Sequence, residues 1–210
     1  MKITMPIAAS LLLALSACSD VEGDDHDHDH DHHGHEHEVM TTVVLTFTAS
    51  TDEAEDLVFT WADPENDGSP VIDDILLENG VDYAVGVQVW NELEDPAEDI
   101  TPEIADEDDE HQFFFTGSAV EGPATGANAD AVVTHAYADA DRNGFDLGLE
   151  NEISAVAAGS GDFILTLRHM PPESGNAVKV EGAAEDVADG GFSAIGGAND
   201  IQVTYALTVE

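Results

Sequence analysis

Ile201-Gln202-Val203-Thr204-Tyr205-Ala206-Leu207-Thr208-Val209 alternates strictly between large apolar side chains and polar or small ones. Successive side chains of an extended strand point to opposite faces, so Ile201, Val203, Tyr205, Leu207 and Val209 form one apolar face. The same period recurs along the chain. Val43, Leu45 and Phe47 share a face, as do Tyr83, Val85, Val87 and Val89, and again Phe163, Leu165 and Leu167. Segments 57–61, 112–116, 131–138 and 153–157 are further strands, bounded by Gly, Pro, Asn or Asp. About eight short strands, each with one apolar face, predict an all-β domain, an antiparallel immunoglobulin-like β-sandwich. One helix is expected over 102–110, where Thr101 can cap and Pro102 suits the first helical position. Acids at its start suit the helix dipole, while those at its end oppose it. The glycine-rich segments 117–129 and 182–199 read as long loops.

Of 210 residues, 46 are Asp or Glu and four are Lys or Arg, a formal charge of -42, while 42% of the chain is hydrophobic. The apolar content suffices for a core. The charge excludes nucleic-acid binding, for want of a basic patch to replace phosphate counterions, and electrostatic adsorption onto anionic lipid. The acids recur in nearly every loop, which fits a whole surface adapted to a salty medium more than one binding patch. Cations are the partners such a field attracts.

Residues 1–17 have the layout of a secretory signal, with Lys2, a short apolar run and then small residues. Leu15-Ser16-Ala17-Cys18 resembles the lipobox of bacterial lipoproteins, and Cys18 is the only cysteine of the chain. This predicts a signal peptide at 1–17, a lipidated Cys18 leading a disordered tether at 18–38, and one folded domain at 39–210. The expected location is the outer membrane, lipid-anchored, on its periplasmic or cell-surface face. The acidic stretch Ser19-Asp20-Val21-Glu22-Gly23-Asp24-Asp25 resembles export signals of surface lipoproteins, and serves equally as a solvated tether.

Seven of the ten histidines stand in the tether, at His26, His28, His30, His32, His33, His35 and His37, interleaved with Asp and Glu. Neutral imidazole is a ligand for zinc, copper and nickel, and carboxylates fill remaining positions. The acids keep the segment solvated and draw divalent cations in. A site that must order a tether around an ion suits capture and release more than storage, and zinc is the foremost cargo. A merely polar spacer is the rival reading.

Three histidines fall in the domain, each in phase with an apolar strand face: His111 with Phe113 and Phe115, His135 with Val133 and Tyr137, His169 with Leu165 and Leu167. A hydrogen-bonded core histidine is the commoner explanation for any one of them. A second metal site from His111 and His169 with Glu107 or Glu110 is the sharper one. Asp139, Asp141 and Asn143, followed by Gly144 and Glu150, match the spacing of a calcium loop, although an Asx-rich turn between strands explains the same residues. No nucleophile elbow, phosphate-binding glycine loop or HExxH motif is present, so no catalytic residue is assigned and no enzyme is expected.

The segments Thr41-Thr42-Val43-Val44-Leu45-Thr46, Glu94-Asp95-Pro96-Ala97-Glu98-Asp99-Ile100, Glu110-His111-Gln112-Phe113-Phe114-Phe115, Asp139-Ala140-Asp141-Arg142-Asn143-Gly144 and Leu165-Thr166-Leu167-Arg168-His169 resemble a group of small bacterial envelope lipoproteins. These are often labelled "type 1 periplasmic binding fold superfamily protein" and tend to carry a His-rich acidic stretch after the lipidated cysteine. The resemblance implies an envelope lipoprotein working beside a TonB-dependent outer-membrane receptor in metal uptake. The competing function is a structural or adhesive surface module with the tether as a spacer.

Overall fold

The structure is a computed structural model and describes residues 39–50 and 55–210. In chain order the elements are β1 (Thr42–Ala49), β2 (Leu57–Ala62), β3 (Val71–Ile72), β4 (Ile75–Leu77), β5 (Asp82–Asn91), β6 (Glu98–Asp99), α1 (Thr101–Asp106), β7 (His111–Thr116), β8 (Val120–Glu121), β9 (Val133–Tyr137), β10 (Glu150–Ala155), β11 (Gly159–His169), α2 (Ala183–Gly190) and β12 (Ala198–Val209). A 3-10 turn at Phe192–Ala194 lies between the last two. The strands form two sheets, one in the order β3-β2-β1-β5-β10-β9-β8 with β6 also on β5, the other β4-β12-β11-β7.

The alternating segments pack as their pattern requires. Val43, Leu45, Phe47, Val85 and Val89 of the larger sheet, and Phe113, Phe115, Phe163, Leu165, Leu167, Tyr205 and Leu207 of the smaller, belong to one buried cluster. Phe47 meets Phe59 edge-on at 5.5 Å between ring centres, the arrangement favoured by aromatic quadrupoles. All eight expected strands are present, and the domain is an all-β sandwich.

Three details differ from expectation. The sheets are not wholly antiparallel: β4 runs parallel to β12 and β8 parallel to β9. Both additions are two or three residues long, too short to display alternation, and β4 arises where the chain changes sheets between Ile72 and Ile75. The helix α1 ends at Asp106, short of the expected 110, and its N-cap residue is Ile100, without a side-chain cap. The Thr101 hydroxyl instead accepts the Val89 amide at 2.9 Å, tying the helix to β5. The segment 182–199, expected as a loop, carries α2 and the 3-10 turn.

α2 forms because Ala183, Ala184 and Val187 pack with Phe114, Ala124 and Met170 in a second buried cluster on the outer side of β7. Phe114 points away from Phe113 and Phe115, so β7 is buried on both faces. Left-handed Gly182 (φ 78°) precedes the helix and Gly191 (φ 69°) follows it, conformations that glycine reaches without steric cost.

The acidic end of α1 is stabilised from outside the helix. Arg142 donates to the Asp106 carbonyl and, at 2.5 Å, to the Asp108 carboxylate, while Lys179 donates to the Asp108 carbonyl at 2.9 Å. Lys179 is itself buried and pairs with buried Asp141 at 2.9 Å. Burial acts to raise the Asp141 carboxyl, but the Phe145 amide, the Lys179 ammonium and the Asn143 amide together outweigh it and hold the group below its ordinary range.

Candidate metal centre

The site lies where β7 begins and β11 ends. His111 and His169 are cross-strand partners in the antiparallel β7–β11 pair. Their rings stack at 4.5 Å between centres with 9° between planes. Glu107, in the turn after α1, stands four residues before His111, and its carboxylate joins the two imidazoles. One ligand atom from each of Glu107, His111 and His169 falls within 4.8 Å of the others. Among the described residues this is the one group of three or more His, Cys, Asp or Glu side chains so assembled.

His111 is poised as a neutral ligand. His111 is 2% exposed, and burial, reinforced by His169 beside it, pushes its pKa down to about 4. Its Nδ1 lies 3.2 Å from the Glu107 carbonyl oxygen, which can only accept, so Nδ1 carries the proton and Nε2 the lone pair. Uncharged imidazole is the form that binds a metal. Around the pair stand two more carboxylates. Glu110 Oε2 is 3.6 Å from His169 Nε2, and Asp200 Oδ2 is 3.9 Å from His111 Nε2. Side-chain exposures of 20% for His169 and 22% for Glu110 leave the site a solvent-facing side.

The structure thus brings together His111, His169 and Glu107, and sets Glu110 beside His169. Asp200 is the member that the alternation of β12 conceals. Opposite Leu167 stands Ile201, but opposite Arg168 stands Asn199, so Asp200 is the extra residue of a β-bulge. Strict alternation would give it the face of Gln202. A bulge breaks that phase and re-aims a side chain.

The other candidates lie elsewhere. His135 is a core histidine: it is buried, packs 4.4 Å from Phe115 and 4.7 Å from Tyr137 between ring centres, and lies 3.0 Å from Asn151 Oδ1 through Nε2. Burial pushes its pKa down to about 4. In the calcium-like loop, Asp139 accepts the amides of Gly148, Leu149 and Glu150. Asp141 accepts those of Asn143 and Phe145, and its other oxygen faces Lys179. Backbone amides and an internal ammonium thus use these carboxylates, the arrangement of an Asx-type turn. Cys18 and the tether histidines His26, His28, His30, His32, His33, His35 and His37 lie outside the described residues. No protein family, curated protein or solved structure matches the chain.

Proposed function

We propose that this is a lipid-anchored envelope protein that captures a divalent transition metal, zinc foremost, for an outer-membrane uptake system such as a TonB-dependent receptor. The observation that carries the reading is the convergence of Glu107, His111 and His169 within 4.8 Å. Two imidazoles and a carboxylate are a donor set suited to zinc, and are softer than the all-oxygen sets that hold calcium or magnesium. The tether adds seven histidines near the anchor at Cys18. In this reading the tether gathers ions at moderate affinity and the rigid domain site holds one more firmly, because its ligands are already ordered.

Calorimetric zinc titration of the mature chain, residues 18–210, at pH 7.5 tests it. One tight event followed by weaker ones is expected. His111→Ala with His169→Ala should remove the tight event, and replacing the seven tether histidines by Asn should remove the weaker ones. A tether-substituted chain that takes up no zinc would eliminate the domain site, and an unsubstituted chain that takes up none would eliminate the function.

A further inference from the structure

Resting on that metal-binding reading, we propose that Asp200 is a fourth protein ligand, closing a site of two imidazoles and two carboxylates with Glu107, His111 and His169. Two observations support it. First, the bulge in β12 exists at Asp200 and nowhere else in the β11–β12 ladder, and it directs the carboxylate toward His111 Nε2, 3.9 Å away. Second, the Glu107 carbonyl accepts a hydrogen bond from Nδ1–H of His111, which leaves Nε2 as the nitrogen that offers electrons, with an Asp200 carboxylate oxygen 3.9 Å away that also offers electrons. Two donors aimed at each other are reconciled by a cation between them. Bonds of about 2.0 to 2.2 Å from zinc to nitrogen and to carboxylate oxygen reach across that separation, and a small closure brings the angle toward tetrahedral.

The Glu107 backbone and Asp200 then have separate roles around one ring: the carbonyl fixes its tautomer, as outer partners of metal-bound histidines do, and the carboxylate shares its ion. Glu110, 3.6 Å from His169 Nε2, is placed to orient the second ring.

The test uses the mature chain with the tether histidines replaced by Asn, so that one domain ion is read alone. Zinc affinity by chelator competition and the visible spectrum of bound Co(II) are compared with and without Asp200→Asn. The substitution should weaken zinc by at least about tenfold, the lower range for disturbing even an outer partner of a metal ligand, and alter the intensity of the Co(II) bands. Unchanged affinity and an unchanged Co(II) spectrum in Asp200→Asn would overturn the assignment of Asp200 while leaving the metal site intact. Absence of any ion in the chain retaining Asp200 would overturn the metal reading itself. If Asp200→Asn fails to fold, the carboxyl 13C resonance of Asp200 decides: addition of zinc must shift it, and a resonance that stays in place while the His111 ring signals move rules the ligand out.

Discussion

At the scale of single residues, two buried histidines couple stability to pH. His111 and His135 are held neutral, with pKa values pushed down from 6.5 to about 4, in each case chiefly by burial. The unfolded chain takes up their protons near pH 6.5 and the folded chain does not. Stability contributed by these groups is therefore complete above pH 6.5 and is lost as pH falls from there toward 4. Each group accounts for up to about 3 kcal/mol over that window, at roughly 1.36 kcal/mol per pKa unit. Urea unfolding followed from pH 7.5 to 4.5 should show a falling midpoint, and His135→Leu should flatten the fall even if it lowers stability overall. An equal slope in that variant would show that the imidazole does not carry the linkage. The positions of His111 and His169 were legible in the sequence because strand phase reports which face a residue occupies. Asp200 was not, since a bulge depends on the register of two strands and leaves no periodic mark on either one.

At the scale of elements, alternation together with bounding turn residues identified every strand of five residues or more among the described residues, because each has a face on a common core. It failed where a segment is short, as at Val71–Ile72, Ile75–Leu77, Glu98–Asp99 and Val120–Glu121. It also failed where burial comes from a neighbour rather than from the segment's own pattern. A strand with a single apolar face cannot explain why Phe113, Phe114 and Phe115 are all at 0% exposure, and α2, hidden among glycines, supplies the missing cover. This makes α2 dependent on Phe114. Phe114→Ala removes the ring on which Ala183, Ala184 and Val187 rest, at a cost of about 3 to 5 kcal/mol for a buried Phe. Hydrogen exchange should show the amides of Ala183–Gly190 losing protection in this variant, while those of β5 and β12 lose less. A uniform loss over all elements would mean that α2 and the sandwich open together.

At the scale of the whole molecule, the charge of -42 sets acid–acid repulsion against the few cations of the domain. Those cations are used internally. Arg168 donates to the carbonyls of Gly196 at 2.8 Å and Gly197 at 2.8 Å and lies 5.6 Å from the Phe192 ring centre, pinning the segment after α2 to β11. Arg142 and Lys179 serve the end of α1 and the Asp141 turn. Salt therefore acts in two directions: it screens the repulsion among exposed acids, and it weakens ion pairs. The first effect should win, because the Lys179–Asp141 pair has side-chain exposures of only 1% and 0% and is little reached by mobile ions, whereas the acids that repel stand mostly in solvent. Raising the ionic strength from about 0.01 M to about 1 M shortens the screening length from roughly 30 Å to 3 Å. The melting temperature should rise over this range and level off as the repulsion is screened out. Sodium, potassium and choline chloride should act alike at equal ionic strength if screening is the cause, whereas a rise confined to one cation would point to specific ion binding. Zinc, added at micromolar concentration in either salt, should raise the melting temperature further by mass action at the Glu107–His111–His169 site, and that increment should vanish in His111→Ala with His169→Ala.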